Sequence, residues 1–283
     1  MTESFRSRLS GAGDLSLDVE GVRLAYSDEG QGVTLICLHA IGHGSRDFLA
    51  VREALKNSYR VITLDWPGHG LSEDDTEDAS ATRYAQLLTA FLDRLELDQV
   101  VLLGNSVGGA AAIRCANTLP DRVLALILAD SAGLDRVDWL SRVIVRLMVG
   151  FFAAGVRQAR WFPAAFSVYY RLVLPASAAA EQRSRIVASA YEIAGVLEQA
   201  WRSFGRAEAD LRPLIPTIQQ PVLFTWATSD RILQLGRNLD SIRQFRNAQL
   251  VRFPGGHSPF LEAPQEFSQA LRSFLSSLEL ANR

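Results

Sequence analysis

The sequence contains very little lysine and very little cysteine. Lys56 is the only lysine among 29 basic residues in a chain of 283 residues, so the other 28 are arginine and lysine-based catalysis is not expected. The two cysteines, Cys37 and Cys115, both lie in apolar runs. We interpret them as small buried side chains, because two cysteines in such positions do not indicate a disulfide framework.

The sequence also lacks an excess of charge and a long apolar run. The formal net charge of −2 gives no overall field toward nucleic acid or anionic membranes, and nucleic acid is not expected as a partner. No apolar run reaches the roughly 18 residues of a membrane span; the nearest, Leu147–Val156 and Trp161–Tyr170, are bounded by arginines. Met1–Leu15 lacks the apolar segment of a signal peptide. We therefore expect a cytoplasmic protein without stable membrane insertion that acts on a small molecule.

Strand and helix patterns alternate in the first and last parts of the chain. Eight segments have the short apolar pattern of strands: Leu15–Val19, Val22–Tyr26, Val33–Leu38, Arg60–Leu64, Val100–Leu103, Val123–Ala129, Val222–Ala227 and Gln249–Phe253. Helical patterns occur at Phe48–Leu55, Thr82–Leu95, Val107–Thr118, Ile232–Phe245 and Glu266–Leu280. Strands that alternate with helices predict an α/β fold with a mostly parallel sheet flanked by helices.

The alternation stops between residues 134 and 212. This stretch is rich in arginine, alanine and aromatic residues, and it has a helical pattern without a clear strand. A helical stretch inside an α/β domain indicates an inserted cap over the sheet. We therefore predict that residues 1–133 and 213–283 form the two parts of the core, and that residues 134–212 form the cap.

The sharpest functional signal is the motif Gly104-Asn105-Ser106-Val107-Gly108-Gly109, which lies between a predicted strand and a predicted helix. In that context a G-x-S-x-G sequence is typical of a nucleophile elbow, a turn too tight for side chains next to the serine. Such a turn strains the serine backbone, and the N-terminus of the following helix favours negative charge on its oxygen. A phosphate-binding loop of the P-loop type is disfavoured because it needs a lysine here.

A serine hydroxyl needs a histidine base, and the chain has four histidines. His257 follows the last predicted strand, at the sheet edge where α/β folds collect their sites. Asp230 follows the preceding strand on the same edge and is the candidate for orienting the imidazole. The chain order Ser106, Asp230, His257 favours this carboxylate. Asp130, at the end of the strand before, is the alternative acid.

The remaining polar candidates are interpreted as structural or remain open. His39 ends a buried strand and is interpreted as a brace of the loop that follows, because buried histidines are normally hydrogen-bonded. His69 and Asp65 are interpreted as braces of the turn in which they lie. His43 lies in a loop beside the presumed site, where it either contacts substrate or is solvated.

Aromatic residues crowd the predicted cap. Most are expected to pack the cap onto the core, as helical apolar stripes do, but an apolar pocket above Ser106 is also expected at such a junction. The candidates for that pocket are His43, Phe151, Trp161 and Phe260. A cap that touches a membrane is a further interpretation, for which the sequence supplies Arg142, Arg146, Arg157 and Arg160. The aromatics fit a monomer or a homodimer equally well.

Four motifs together resemble the α/β-hydrolase superfamily over nearly the whole chain. Besides the elbow, they are His39-Ala40-Ile41-Gly42, similar to the family's oxyanion loop; Asp65 to Ser72, similar to its loop after the fourth strand; and Gly256 to Glu262, similar to its histidine loop. The resemblance implies an eight-stranded, mostly parallel sheet and an oxyanion hole made by the backbone N–H groups of Val107 and Ile41. Ala40 departs from the usual glycine and restricts the backbone there.

The resemblance implies a cofactor-free serine hydrolase of the lidded branch, and no His, Cys, Asp or Glu cluster has the spacing of a metal site. The expected substrate is a small to medium carboxylic ester with an apolar part. One alternative is a carbon–carbon bond hydrolase of ring-cleavage products, similar at the Gly-Asn-Ser-x-Gly-Gly elbow but with a Gly-Pro-Gly loop and a tryptophan after the histidine that this chain lacks. The others are a triad-bearing ligand receptor or regulator, and a perhydrolase or lyase on the same fold.

Overall fold

An eight-stranded sheet organises the computed structural model, which describes residues 4–13 and 15–281. Its strands are β1 (Leu15–Val19), β2 (Val22–Glu29), β3 (Thr34–Leu38), β4 (Arg60–Leu64), β5 (Val100–Asn105), β6 (Val123–Ala129), β7 (Val222–Ala227) and β8 (Ala248–Phe253). They lie in the order β1-β2-β4-β3-β5-β6-β7-β8. The β1–β2 and β2–β4 pairs are antiparallel and the other neighbours are parallel. The predicted mostly parallel α/β sheet is confirmed.

The central strands are buried on both faces by helices of the core. These helices are α1 (Leu49–Leu55), α2 (Ala81–Arg94), α3 (Val107–Thr118), α8 (Leu235–Ile242), α9 (Pro259–Glu262) and α10 (Pro264–Ala281). Successive side chains of a strand point to opposite faces. In β5, Leu102 accordingly belongs to the apolar cluster that includes α2 and α3, whereas Val101 and Leu103 belong to the cluster that includes α1 and α10.

Four α-helices lie between β6 and β7, inside the segment predicted to be the cap: α4 (Trp139–Val156), α5 (Phe162–Val173), α6 (Ala180–Ala188) and α7 (Ala190–Phe204). The long helices α4 and α7 pack against each other. Buried aromatic rings of α4, α5 and α7, among them Phe152, Phe166 and Trp201, form the interior of this layer. The aromatics were expected to pack this segment onto the core, whereas these ring contacts join α4, α5 and α7 to one another.

Helix α4 is longer and more exposed than the apolar run Leu147–Val156 indicates. Asp138 caps its N-terminus, where Oδ1 accepts a hydrogen bond from the Ser141 N–H at 2.8 Å. The helix therefore begins at Trp139, and of its 18 residues only Phe152, Ala154 and Gly155 are buried. Among the described residues, α4 alone is long and apolar enough, by length and composition, to cross a membrane.

Helix α8 is shorter than the predicted helix Ile232–Phe245, because it begins at Leu235. The backbone N–H groups of Ile232 and Leu233 donate to Asp230 Oδ1 at 2.7 and 3.0 Å. A carboxylate that binds these two N–H groups holds the segment in a turn and not in the helix. The apolar pattern could not reveal this, because the turn depends on one side chain.

Candidate active site

The elbow motif forms a strained turn between β5 and α3. Ser106 has φ 54° and ψ −117°, a left-handed φ that is unfavourable for a residue with a side chain. A Cβ atom on Gly104 would lie 2.4 Å from the Gly108 carbonyl oxygen. A Cβ atom on Gly108 would lie 2.3 Å from the Leu38 carbonyl oxygen. The turn therefore requires both glycines, and it holds Ser106 at the C-terminal end of β5.

Asn105 links the elbow to the loop that contains His257. Its Nδ2 donates to the carbonyl oxygens of Ala129 and His257, both at 2.9 Å, and the Ser258 hydroxyl donates to its Oδ1 at 3.0 Å. Asn105 is fully buried, so these bonds replace the water that its amide would otherwise need. Sequence analysis missed this role. The available signal was an amide side chain at the end of an otherwise apolar strand.

His257 and Asp230 form a buried pair. His257 Nδ1 lies 2.8 Å from Asp230 Oδ2, and the two residues are 4% and 6% exposed. Burial alone would raise the pKa of Asp230, but the charge and hydrogen bond of His257, together with two backbone N–H donors, hold that pKa below its usual value. Asp230 is therefore ionised and accepts the Nδ1 proton of His257, which leaves Nε2 of the imidazole available to act as a base.

The histidine loop is fastened to the C-terminal end of α5. The His257 N–H donates to the Val173 carbonyl oxygen at 2.8 Å. The buried Glu262 accepts hydrogen bonds from the N–H groups of Gly256 at 2.7 Å and Ala176 at 3.0 Å. A Cβ atom on Gly256 would lie 2.3 Å from the Val173 carbonyl oxygen. The position of His257 therefore depends on contacts with the cap helices as well as with the sheet.

Asp130, the alternative acid, is placed differently from Asp230. It is fully buried, and its Oδ1 accepts a hydrogen bond from the Ala227 N–H at 2.9 Å. Its Oδ2 has no hydrogen-bond partner among the described residues, and His257 bonds to Asp230 instead. Burial, and then the negative charge of Asp230, raises the pKa of Asp130 well above its usual value. Burial therefore disfavours the ionised form of this carboxyl group, whereas the contact with His257 favours the ionised form of Asp230.

Two buried histidines brace the loop after β3. The Trp66 N–H donates to His39 Nε2 at 2.9 Å, and the Gly42 N–H donates to His69 Nε2 at 2.8 Å. Because both Nε2 atoms accept, each Nδ1 carries the proton and donates to a carbonyl oxygen, of Ala40 and Pro67 respectively. Burial lowers the pKa of His39 to about 3 and that of His69 well below its usual value. The interpretation of both residues as structural is confirmed.

Asp65 is the third brace in this region. Its carboxylate accepts hydrogen bonds from the Ser10 hydroxyl at 2.5 Å, the Ser45 N–H at 2.7 Å and the Leu71 N–H at 3.1 Å. It thereby joins the loop after β4 to two other segments, which confirms its predicted role as a loop brace. Asp65 therefore holds the loop after β4 against the loop after β3.

His43 belongs to a buried polar chain and not to solvent. Its Nδ1 lies 2.5 Å from Asp47 Oδ2, and Asp47 Oδ1 accepts from Gln182 Nε2 of α6 at 2.6 Å. His43 is 1% exposed, so the solvated interpretation of this residue is wrong. The chain of three side chains ties the loop after β3 to the cap, and only the tertiary structure brings Gln182 to this position.

The two candidate oxyanion donors lie on adjoining segments. Val107 is the first residue of α3, and the first N–H groups of a helix have no acceptor within it. Ile41, which is 9% exposed, lies in the loop after β3. The close contact of Gly108 with the carbonyl oxygens of Leu38 and His39 holds the start of α3 against the start of that loop. The N-terminus of a helix favours a negative charge placed beside it.

A cavity of about 400 Å³ opens beside Ser106. Its apolar lining comes mainly from α4, α7 and the loop after β7, and includes Ala110, Ala132, Leu140, Ile144, Val145, Trp201, Phe204, Ile232 and Leu233. Arg136 and Arg231 are among its polar lining residues. A cavity of this size and character accommodates a small apolar ligand.

The four predicted pocket residues do not line this cavity. Phe260 is buried in α9, where its ring stacks on Phe48 at a centroid distance of 4.7 Å. Trp161 is 54% exposed on the cap, and Phe151 packs against it. His43 is engaged with Asp47. The aromatic pattern identified apolar residues, but it did not indicate which side of each helix is directed toward Ser106.

Comparison with known proteins establishes the family. A family model described as the alpha/beta hydrolase family matches residues 35–270, which is most of the chain. The chain belongs to the alpha/beta hydrolase family. The elbow, the histidine loop and the loop after β3 all lie within the matched residues, and the eight-stranded sheet has the strand order described above. The protein is therefore a hydrolase, as the sequence motifs indicate.

Similar proteins of this family include esterases. The pimeloyl-[acyl-carrier protein] methyl ester esterase of Xanthomonas axonopodis pv. citri is 28% identical over 256 residues, which cover 88% of this chain and 97% of that protein. The structure of an esterase from Thermogutta terrifontis superposes with a TM-score of 0.78 at 22% identity, covering 94% of this chain and 99% of the other, and shows the shared fold. A bacterial membrane phospholipase A has a TM-score of 0.80 at 26% identity, with 97% and 89% covered.

Proposed function

We propose that this hydrolase is a serine esterase that cleaves a small to medium carboxylic ester with an apolar part. The observation that carries the proposal is the 2.8 Å contact between His257 and Asp230 in the loops that surround the strained turn of Ser106. The apolar cavity beside Ser106 supports the substrate class. The esterase from Xanthomonas, with 97% of its length covered, is a relative with the same kind of reaction.

The proposed reaction proceeds in two steps through an acyl-enzyme. His257 Nε2 takes the proton of the Ser106 hydroxyl as Oγ attacks the acyl carbon, and the ionised Asp230 stabilises the imidazolium. The N–H groups of Val107 and Ile41 bind the oxyanion of the tetrahedral intermediate. The C–O bond to the alcohol then breaks, and His257 donates its proton to the leaving oxygen. Water, deprotonated by His257, attacks the acyl-enzyme and releases the acid and the free serine.

Labelling with a fluorophosphonate probe, together with hydrolysis of p-nitrophenyl esters of graded chain length, tests the proposal. Wild-type protein should be labelled and should hydrolyse these esters, whereas Ser106→Ala should not be labelled and should lose turnover by on the order of 10⁴ or more. Ser203→Ala is a matched control, because Ser203 lines the same cavity and its hydroxyl donates to the Ala200 carbonyl oxygen. Folded wild-type protein that neither labels nor hydrolyses any ester would overturn the proposal.

A carbon–carbon bond hydrolase is the second candidate, because of the Gly-Asn-Ser-x-Gly-Gly elbow. Ring-cleavage dienoates assayed beside the esters decide between the two reactions, since a carbon–carbon hydrolase should prefer the dienoates by a large factor in kcat/KM. Turnover of neither substrate class by a protein that still binds apolar ligands would favour a receptor or regulator. Peracid formation with hydrogen peroxide would identify a perhydrolase.

A further inference from the structure

One side of α4 carries an exposed apolar stripe. It consists of Trp139, Leu140, Val143, Ile144 and Leu147, which we call the α4 stripe. Trp139 is 76% exposed and Leu147 is 68% exposed, and the other three are each more than two-fifths exposed. Residues at i, i+4 and i+8 share one side of a helix. Side chains of this kind are normally turned toward the interior of a protein, so a contiguous exposed stripe indicates an interaction surface.

The cap segment that contains the stripe is strongly basic. Between Trp139 and Ala180 the sequence has five arginines and no aspartate or glutamate. Because the whole chain has a formal charge of −2, a segment of +5 leaves −7 on the rest. The five residues are Arg142, Arg146, Arg157, Arg160 and Arg171. All five are exposed, and none is within ion-pair distance of a carboxylate in the described part of the chain.

The two carboxylates nearest the start of α4 are already paired. Asp135 and Asp138 both contact the guanidinium of Arg237, in the latter case at 3.1 Å. One guanidinium balances one of the two carboxylates, so the three groups keep a net charge of −1, against the +2 of Arg142 and Arg146 in α4. Within α4 itself, Arg142 and Arg146 are four residues apart and lie along one edge of the stripe. The surface combines exposed apolar residues with unpaired positive charge.

The α4 stripe is continuous with the cavity beside Ser106. Leu140 and Ile144 belong to the stripe and also line the cavity. The other three stripe residues do not line it. An apolar chain held at the outer surface of α4 thus has an apolar path into the cavity along this helix.

We propose that the α4 stripe docks onto an anionic lipid bilayer and admits an acyl chain from it to the cavity beside Ser106. The aliphatic residues of the stripe enter the upper acyl region, Trp139 lies at the level of the headgroups, and the arginines bind lipid phosphates. The helix lies in the interface and does not cross the bilayer, because Phe152 and Gly155 pack inside the cap and Arg142 and Arg146 lie along its length. The docking half of the proposal is independent of the proposed function, whereas the entry of an ester rests on it.

Charge distinguishes a lipid surface from a second copy of this chain. A symmetric dimer through the α4 stripe would bring Arg142 and Arg146 of one copy against the same residues of the other. Like charges at short distance oppose such a dimer. The negative surface potential of anionic lipids instead favours binding of the α4 stripe to a bilayer. The same arginines attract the phosphate groups that border the acyl region of a bilayer.

Vesicle co-sedimentation tests the docking. The Ser106→Ala protein should bind vesicles of phosphatidylcholine with about 30% phosphatidylglycerol and should bind pure phosphatidylcholine weakly. Arg142→Gln/Arg146→Gln should weaken binding to the anionic vesicles on the order of 30-fold. Trp139→Ser/Leu147→Ser should weaken it further. Arg94→Gln/Arg252→Gln is the matched control. It removes two exposed charges that lie outside the cap segment, and it should bind like the Ser106→Ala protein.

Separate readouts distinguish docking from catalysis. On a water-soluble short ester, Trp139→Ser/Leu147→Ser should keep wild-type kcat/KM, and on an ester embedded in anionic vesicles it should lose at least ten-fold. If vesicles bind but the fluorophosphonate does not label Ser106, the docking stands and the esterase proposal fails. Equal binding to neutral and anionic vesicles, no binding to either, or the same loss in the control pair would overturn the docking. A dimer that light scattering detects and that Leu147→Ser dissociates would also overturn the docking. Binding to an acidic carrier protein in place of vesicles would do the same.

Discussion

The loops at the C-terminal edge of the sheet and the outer side of α4 are opposites in burial. At the sheet edge, polar side chains such as Asn105, Asp230 and His257 are almost fully buried. Asn105 and Asp230 both form hydrogen bonds with His257, and these bonds join the loops in which the three residues lie. On α4, large apolar side chains such as Trp139 and Leu147 are exposed. Each region reverses the usual placement of its residue type.

The physical consequences of the two reversals differ. A buried polar group that loses its partner retains a desolvation penalty of about 1–3 kcal/mol, so each bond at the sheet edge holds a reactive group in place. An exposed apolar residue has no such partner, and its replacement by a polar residue barely changes the free energy of unfolding. We therefore expect substitutions at the sheet edge to change activity and stability in solution, and substitutions of the exposed Trp139 and Leu147 on α4 to change neither.

The largest expected difference lies between the two carboxylates at the sheet edge. Asp230→Asn should lower kcat on a p-nitrophenyl ester by on the order of 10⁴, because the amide no longer holds the Nδ1 proton or stabilises the imidazolium. Asp130→Asn should change kcat by less than about ten-fold, because Asp130 bonds to the Ala227 N–H and His257 bonds to Asp230 instead. The opposite ranking of the two variants would transfer the proposed acid role to Asp130.

The next effect concerns the link between the elbow and the histidine loop. Asn105→Ala removes the donor to the His257 carbonyl oxygen and the acceptor of Ser258, so it should lower the free energy of unfolding by about 1–3 kcal/mol. It should also lower kcat more than it raises KM, because His257 loses its fixed position. Urea unfolding and steady-state kinetics measure the two effects. Asn117→Ala, which removes a surface bond to Thr217, is the control, and equal losses in both variants would contradict the assignment.

A third prediction concerns acid stability. His39 and His69 bind a proton in the unfolded chain below about pH 6.5 but stay neutral in the folded protein, where their pKa values are lowered. The unfolded state then binds more protons, so stability falls as the pH falls from about 6.5 toward the folded pKa, by up to about 1.4 kcal/mol per pH unit for each histidine.

Urea unfolding at pH values between 6.5 and 4.5 measures this dependence. The His69→Asn variant lacks one of the two titrating groups, so its stability should fall less steeply than that of the wild-type protein over this range, by about 1.4 kcal/mol per pH unit. Indistinguishable slopes would show that His69 is protonated in the folded state. The pKa of His69 would then not be lowered in the folded protein.

The smallest expected effect is on α4. Trp139→Ser/Leu147→Ser should change the free energy of unfolding in solution by less than about 0.5 kcal/mol, because neither side chain is buried. Urea unfolding without lipid measures it. A loss of 2 kcal/mol or more would show that the stripe is part of the folded interior, and the contrast between the two regions would then disappear.

The site was predictable from sequence where neighbouring residues determine the geometry. The glycines beside Ser106 reflect a turn in which any Cβ would clash, and the strand patterns placed Asp230 and His257 at the same edge. The buried Cys37 and Cys115 follow from apolar runs in the same way. In each case the physical constraint acts over a few residues, so the pattern is visible in the chain itself.

The choice of cavity residues was not predictable in this way. The predicted contacts His43, Phe151, Trp161 and Phe260 are apolar or lie in loops near the site, as the sequence indicates, but other residues line the cavity. Which side of a cap helix is directed toward Ser106 depends on how α4 and α7 pack on each other and on the core. That packing depends on side chains far apart in the chain.

The sequence by itself determined the sheet, the strained turn of Ser106 and the order of the residues at its edge, because tight turns and apolar periodicity are local properties. Only the tertiary structure decided which groups meet across the chain. Examples are the bond of Asn105 to His257 and that of Asp47 to Gln182. It also decided that the apolar stripe of α4 is left uncovered, because burial is a property of the whole packed molecule and not of a segment.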